Sequence, residues 1–192
     1  MLYAFDGKGP EIGRDVYISD EAVAIGNVKI GDGCYVGPGA ILRGDYGSIE
    51  IGSGTAVEEG VVIHAPPGQV CQIGKKVTLG HGAIIHAKCV GDLAVIGMGA
   101  VLSLGVKVGE RVIVAEGAVV TMNQKVAAGV VVAGNPAKVM RNITPEDGKR
   151  WERGKQLYID LAKKYLKIGL QPVTHEDEPA LRTLTGRLSK KR

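Results

Sequence analysis

An aliphatic residue recurs at every sixth position along most of the chain, and glycine often follows it. This spacing does not keep apolar side chains on one face of an α-helix. A prism of short parallel strands does, because each six-residue segment forms one face, three segments form one coil, and each aliphatic side chain points to the axis. The repeat positions are Ile12, Ile18, Ala24, Ile30, Val36 and Leu42, then Ile51, Val57 and Ile63, then an unbroken series from Ile73 through Leu79, Ile85, Val90, Ile96 and Leu102 to Val132. We therefore predict a mainly β fold, a parallel β-helix of about seven coils.

Two irregularities interrupt the repeat. Nine residues separate Leu42 from Ile51, which places three extra residues around positions 46–50. Ten residues separate Ile63 from Ile73, which places four extra residues around Pro66–Gln69. Because the coils on either side keep their phase, we expect both insertions to leave the prism as corner loops. The alternative fold, a β-sandwich with turns every 8–12 residues or so, does not account for a six-residue period.

The repeat stops near Gly134, and a helix signal follows it. Thr144 is a typical N-cap, Pro145 fits the first helical position, and acids follow in the first turn. A mostly 3–4 spaced apolar stripe then predicts a helix that packs on the prism or on a neighbouring subunit: Trp151, Leu157, Tyr158, Leu161, Tyr165 and Ile168. The predicted organisation is a β-helix domain over 1–140, a C-terminal helix within 141–170, and a polar, flexible tail over 171–192.

Three of the four histidines fall inside the repeat. His64 and His86 each follow an inward aliphatic residue and lie one coil apart once the four looped residues are subtracted, so they stack in one column. Arg43 belongs to the same column by the same count. His81 lies on the preceding face, in the column of Glu59. A metal that uses all three imidazoles is therefore reached most easily when His81 comes from a neighbouring molecule, around a threefold axis.

Each candidate also has an ordinary structural explanation. Arg43 and Asp45 form an ion pair at a subunit seam whether or not they take part in catalysis. Glu58 and Glu59 fit a solvated acidic corner as well as a site. Cys89 is expected in the core, as one of the small residues of the repeat.

Composition narrows the range of functions. Aromatic residues are 4% of the chain, so the core must be aliphatic, and much of the net charge of +4 lies near the C-terminus. No basic stripe with interleaved aromatics indicates a nucleic-acid partner, and no apolar run is long enough to span a membrane. Three cysteines without a CxxC pair favour a reducing compartment, so we expect a cytoplasmic protein.

Together, three motifs resemble the γ-class carbonic anhydrase family of hexapeptide-repeat proteins, over about residues 10–140. They are Leu42-Arg43-Gly44-Asp45, the histidine at 64, and the segment from His81 to His86. The resemblance implies a left-handed β-helix and a homotrimer. It also implies Zn²⁺, or Fe²⁺ or Co²⁺, bound by His64 and His86 of one chain and His81 of the next. The segment from Trp151 to Tyr165 looks like longer members linked to phenylacetate and carnitine pathways.

The sequence departs from the family pattern beside the first histidine. Members often carry Asn-x-Gln-Asp where this chain has Ala56-Val57-Glu58-Glu59. The resemblance therefore puts Glu59 in place of an acid one methylene shorter, and Glu58 in place of a Gln that orients the metal-bound water. The loop over Pro66–Gln69 also lacks the acid that serves as proton shuttle in other members.

Three hypotheses follow. In the first, the protein is a carbonic-anhydrase-type lyase: the metal lowers the pKa of bound water to about 7, and the hydroxide hydrates CO2 to bicarbonate. Glu58 or Glu59 positions that water or takes its proton, while Arg43 and Asp45 brace the interface. In the second, it is an acyltransferase or thioesterase that uses an acyl-CoA, with the segment from Val132 to Lys138 near the CoA end. In the third, the protein is a non-enzymatic scaffold, and the metal only holds the trimer together.

Overall fold

A computed structural model of the protein describes residues 1–171, so all but the first residue of the predicted tail lies outside the described residues. The elements run in chain order as follows: β1 (Leu2–Tyr3), β2 (Glu11–Ile12), β3 (Tyr17–Ile18), β4 (Val23–Ile30), β5 (Tyr35–Val36), β6 (Ile41–Ile51), β7 (Ala56–Val57), β8 (Val62–His64), β9 (Val70–Ile73), β10 (Thr78–Leu79), β11 (Ile84–Ile85), β12 (Cys89–Val90), β13 (Val95–Ile96), β14 (Val101–Leu102), β15 (Lys107–Val108), β16 (Ile113–Val114), β17 (Val119–Val120), β18 (Lys125–Val126), β19 (Val130–Ala133), β20 (Lys138–Asn142) and α1 (Pro145–Ile168).

These strands form a three-sided prism of about seven coils, which confirms the predicted left-handed parallel β-helix. Face A contains β1, β8, β11, β14, β17 and the first halves of β4 and β6. Face B contains β2, β9, β12, β15, β18 and the second halves of β4 and β6. Face C contains β3, β5, β7, β10, β13, β16 and β19, and its last strand, β20, pairs antiparallel to β19. Every other pairing is parallel.

The core is the predicted aliphatic column. Leu42, Ile63, Ile85 and Leu102 are fully buried and pair with one another in register along face A. Small side chains two positions earlier, such as Ala40, Ala83 and Ala100, are buried beside them. The burial of so many aliphatic side chains in one continuous stack is what stabilises a fold made of two-residue strands.

The structure corrects two details of the count. The three extra residues of the first insertion lie within positions 45–48 rather than 46–50, because Gly44 pairs with Gly26 and Ile49 already pairs with Val28. The second half of the repeat is not unbroken: only five residues separate Ile85 from Val90, so the corner after His86 is one residue short.

The shortened corner changes the position of Cys89. This residue directly precedes the inward Val90 and pairs with Gln72, so its side chain belongs to the outer surface of face B. It is only partly buried. The prediction that Cys89 belongs to the core is therefore wrong. The buried small residues stand two positions before the inward aliphatic residue, as Cys71 does before Ile73, whereas Cys89 stands one position before Val90.

The outward residues give the three faces different chemistry. Face A presents a column of aliphatic residues that one chain leaves partly or fully exposed: Val23, Ile41, Val62, Ile84, Val101 and Val119. Face B presents mainly charged and polar residues: Glu11, Lys29, Glu50, Gln72, Cys89, Lys107 and Lys125. Face C is covered by α1 over the coils of β3, β5 and β7. Only face A therefore offers a large apolar surface without a partner in the described chain.

The helix α1 begins with a capping box. The Thr144 hydroxyl accepts a hydrogen bond from the Asp147 backbone N–H, and the Asp147 carboxylate accepts one from the Thr144 backbone N–H. The contact face with the prism contains Trp151, Lys155, Tyr158, Ala162 and Tyr165, at helical spacing.

The helix surface differs from the predicted stripe in two places. Leu157 and Ile168 are exposed, and the polar Lys155 is buried in the contact instead. Among residues 1–171, no helix is both long enough and apolar enough to cross a membrane.

Candidate metal centre

His64 and His86 form a stacked pair at the corner between faces A and B. His64 ends β8, and His86 directly follows β11, its partner strand. The Nδ1 atom of His64 lies 3.0 Å from the Nε2 atom of His86, and the ring centroids are 4.8 Å apart. The two rings therefore present nitrogens to one another at a separation suited to chelation of one metal ion.

Arg43 lies in the same column, because it pairs with His64 in the strand register. Its Nη1 atom is 3.0 Å from Oδ2 of Asp45. The other Asp45 oxygen accepts a hydrogen bond from the Tyr46 backbone N–H, which lowers the pKa of this carboxyl, with a further contribution from Arg43. The sequence motif thus forms a short ion pair within one chain, next to the histidine pair, and the Arg43 side chain remains partly exposed.

His81 lies on the other side of face A, in the turn between β10 and β11. Its Nδ1 atom is 2.6 Å from Oε2 of Glu59, which shares its column as the count predicts. Its Nε2 atom is 3.1 Å from Oε2 of Glu58. The backbone N–H of His81 donates to the same Glu58 oxygen at 3.2 Å. Two carboxylates therefore hold one imidazole.

Glu58 is not a solvated corner residue. It is 4% exposed, and this burial raises the pKa of its carboxyl against the opposing effect of His81. Both contacts of the His81 ring are hydrogen bonds only when His81 is an imidazolium or one of the two carboxyls is protonated, because a neutral imidazole has one N–H. The solvated-corner interpretation is therefore wrong for Glu58, while Glu59 is only partly buried.

Two tyrosines hold these carboxylates, and neither was among the predicted site residues. The Tyr35 hydroxyl of β5 donates to Oε1 of Glu59 at 2.5 Å. The Tyr158 hydroxyl of α1 lies beside Glu58. The two rings contact each other, with centroids 5.3 Å apart. Burial raises the pKa of Tyr35, so its hydroxyl stays protonated and serves as a donor.

The hydrogen-bond chain explains the charge on Glu59. Burial alone would raise the pKa of this carboxyl, but hydrogen bonds from Tyr35 and His81 outweigh it, and the pKa is lowered. An ionised Glu59 accepts the Nδ1–H of His81 and so selects the tautomer whose Nε2 can bind a metal. Burial also lowers the pKa of His64, as do Arg43 and His86, so this imidazole is neutral and able to act as a ligand.

Lys155 extends this cluster under the helix. The side chain is 5% exposed, and its ammonium donates to the Thr78 hydroxyl at 3.3 Å and the Ala94 carbonyl at 3.0 Å. Burial lowers the pKa of Lys155 to about 8, although the charge of Glu58 acts in the opposite direction. The helix therefore places one buried cation and one tyrosine beside the acid that contacts His81.

The three histidines do not meet within one chain. Among residues 1–171, no group of three His, Cys, Asp or Glu side chains is arranged to hold a metal ion. The pair and His81 instead occupy the two corners that border face A. The donors themselves suit Zn²⁺ and similar ions, since neutral imidazole nitrogen is their common ligand. The residues fit a metal if a second copy supplies the missing imidazole.

Comparison with known proteins gives three similarities. The family model for bacterial transferase hexapeptide (six repeats) matches residues 9–44. Gamma carbonic anhydrase 2, mitochondrial, from Arabidopsis thaliana is 39% identical over 85% of this chain, and the match spans 60% of the plant protein. Carnitine operon protein CaiE from Salmonella agona is 35% identical over 95% of this chain and 94% of its own length.

A solved structure adds to these relatives. The hexapeptide transferase family protein from Anaplasma phagocytophilum superposes with a TM-score of 0.81 and 32% sequence identity, over 85% of this chain and 97% of that one. Similarity of this extent includes most of the β-helix that carries the histidines. The plant relative, by contrast, is considerably longer than the region it shares.

Proposed function

Since the chain belongs to the γ-carbonic-anhydrase-like family of hexapeptide-repeat proteins, we propose that it is a metal-dependent enzyme that hydrates CO2 reversibly to bicarbonate. Its active form is a homotrimer, and each metal is held by His64 and His86 of one subunit and His81 of the next. Zn²⁺ is the expected ion, and Fe²⁺ or Co²⁺ suit the same donors.

The position of the histidines on either side of face A carries this proposal. One corner of the face holds the His64 and His86 pair, and the other holds His81 with its two carboxylates. Between them runs the exposed aliphatic column, in which Ile41 is 40% and Ile84 46% exposed. A threefold packing of A faces covers this column and brings the His81 corner of one subunit to the histidine pair of its neighbour. Hexapeptide-repeat proteins are typically trimers, which agrees with this arrangement.

The residues of the chain have distinct roles in this site. His64, His86 and His81 supply three nitrogen ligands, and the Nδ1–H of His81 is fixed by Glu59 and, through it, by Tyr35. If Zn²⁺ is held there, it would supply an activated water with a pKa of about 7 as the nucleophile for CO2 at neutral pH. To ligate a metal, His81 would turn its Nε2 atom away from Glu58, and Oε2 of Glu58 would then border the site with the His81 backbone N–H still bound to it.

Glu58 is accordingly the residue that we assign to the proton. Its Oε2 atom lies 3.1 Å from the ligand nitrogen of His81, close enough to accept a hydrogen bond from a water beside that atom. Glu59 contacts His81 from the opposite side, at Nδ1, and is a positioning residue. To the ion pair of Arg43 with Asp45, next to the histidine pair, we assign the role of bracing the subunit interface.

Stopped-flow CO2 hydration on zinc-loaded protein tests this function. We expect a rate above the uncatalysed reaction that is lost after chelation and restored by zinc. His64→Ala should abolish the catalysed rate and the bound zinc together. A zinc-loaded trimer with three ligands in place and no rate above the metal-free control would contradict the proposal.

A second candidate function is acyl transfer or thioester hydrolysis with an acyl-CoA, favoured by the likeness to the Anaplasma transferase-family structure. The groove between adjacent prisms would receive the acyl-CoA, near the segment 132–138. A panel of short-chain and aryl acyl-CoA substrates separates the two functions. Hydrolysis or transfer that persists in His64→Ala would support this second function and would place its chemistry away from the histidines.

A further inference from the structure

A cavity of about 440 Å³ lies between the first half of α1 and face C, away from the histidines. Its apolar wall includes Leu93, Val95, Ile113, Trp151 and Ile159. Val95 and Ile113 belong to the outward column of face C, which the helix covers only partly at this end. This volume is in the range of pockets that bury small molecules.

The charged residues of the cavity are mainly cations that have no ion-pair partner in the described part of the chain. Lys76, Arg111 and Lys155 contribute to the lining, and none of them forms an ion pair within residues 1–171. Of the two acids in the lining, Asp147 is already paired with Arg141 and bonded to Thr144. Glu152 is the other. The cavity thus combines an apolar floor with an excess of positive charge.

The backbone gives a second, independent indication. Three successive turns between faces B and C carry a residue with a left-handed φ at the same place. These residues are Lys76 (49°), Leu93 (62°) and Arg111 (52°). The same place in other coils is held by Gly33, Gly54 and Gly129. Residues with a Cβ are disfavoured in this conformation. At this place in the turns between faces B and C, the chain therefore carries a side chain in the costly conformation in the three coils that border the cavity and in the first coil, at Asp15.

We propose that this cavity binds a small organic carboxylate with an apolar body. The carboxylate is met by the Arg111 guanidinium, whose planar donors suit two carboxylate oxygens, with Lys76 beside it. The apolar body lies on Leu93, Val95 and Trp151. Lys155 closes the inner wall with an ammonium that has three donors, of which Thr78 and Ala94 use two. This site shares Lys155 with the cluster around Glu58, but none of the three histidines of the proposed metal centre lines it, and the proposal does not rest on the proposed function.

Trp151 is the only tryptophan of the chain, so its fluorescence reports directly on the cavity. The probes are hexanoate and its neutral isostere hexanamide, titrated into the full-length protein. We expect a saturable change with hexanoate at least about tenfold tighter than with hexanamide, because only the acid pairs with Arg111. Equal affinities for acid and amide, or no saturable change up to the solubility limit, would overturn the proposal.

Two variants and a control locate the site. Arg111→Gln should weaken hexanoate binding about fivefold and leave hexanamide unchanged. Gly148→Phe should abolish binding of both probes, since Gly148 lines the cavity and a Cβ there meets open space. Lys125→Gln, on face B, should bind like the parent protein. Unchanged hexanoate affinity in Arg111→Gln would refute the assignment even if Gly148→Phe failed to fold, which circular dichroism would reveal.

Discussion

Replacement of Lys155 by methionine removes the one ammonium buried under α1. Lys155 bridges the helix to the prism through the Thr78 hydroxyl and the Ala94 carbonyl. Methionine is an unbranched apolar side chain of nearly the same length as lysine, so Lys155→Met preserves the packing while it removes the charge. The consequence is a change in how the free energy of unfolding depends on pH.

The magnitude follows from the shifted pKa. Burial lowers the pKa of Lys155 from the ordinary 10.5 to about 8 in the folded protein. The unfolded chain therefore binds the proton more tightly than the folded chain does. The burial penalty is fully present below about pH 8 and disappears as the pH rises towards the unfolded pKa. At roughly 1.4 kcal/mol for each unit, the parent protein should gain about 2–3 kcal/mol over the variant between about pH 7 and pH 10.

Urea unfolding of metal-free parent and variant, measured across this pH range, tests the prediction. Groups remote from Lys155 titrate equally in the two proteins, so the difference between them reports on Lys155 and on Glu58, with which it interacts. Lys163→Met is the matched control, since Lys163 is an exposed lysine of the same helix and should give a difference that does not change with pH. A pH-independent difference for Lys155→Met as well would show that the buried ammonium is not the source of the effect.

Two further predictions concern the proposed metal centre and interface. Tyr35→Phe removes the hydrogen bond to Glu59 and should weaken zinc binding about 10–100-fold, as measured by competition with a chelator. Tyr17→Phe is the control, since the Tyr17 ring stacks on Tyr35, and it should leave zinc affinity unchanged. Equal zinc affinities in the two variants would count against the role of Tyr35. Ile84→Asp should convert trimers to monomers, as measured by light scattering. Leu157→Asp, on the exposed side of α1, should leave trimers intact. A trimeric Ile84→Asp protein would exclude face A as the interface.

The hexapeptide period was sufficient to predict the core because the inward position repeats with little variation. Leu42, Ile63, Ile85 and Leu102 stack as the count requires. The count failed for Cys89, since a corner can lose one residue without disturbing the strand that follows. A single omitted residue moves a side chain from the core to the surface, and the aliphatic pattern around it barely changes.

The site was harder to predict than the fold. The histidine columns follow from spacing, but Tyr35 and Tyr158 come from segments far apart in sequence and meet only because α1 runs back along face C. Lys155 was absent from the predicted helix stripe because an apolar pattern does not reveal a buried polar residue. Its partners, Thr78 and Ala94, lie 77 and 61 residues away.

The claim that each metal lies between subunits can be tested by complementation. His81→Ala and His86→Ala chains are each expected to bind no zinc at the three-histidine site and to lack CO2 hydration. In trimers that contain both chains, a site is complete where a His81→Ala subunit supplies the histidine pair and a His86→Ala subunit supplies His81. Random mixing should restore about a quarter of the zinc and of the hydration rate. No recovery in verified mixed trimers would contradict a site shared between chains.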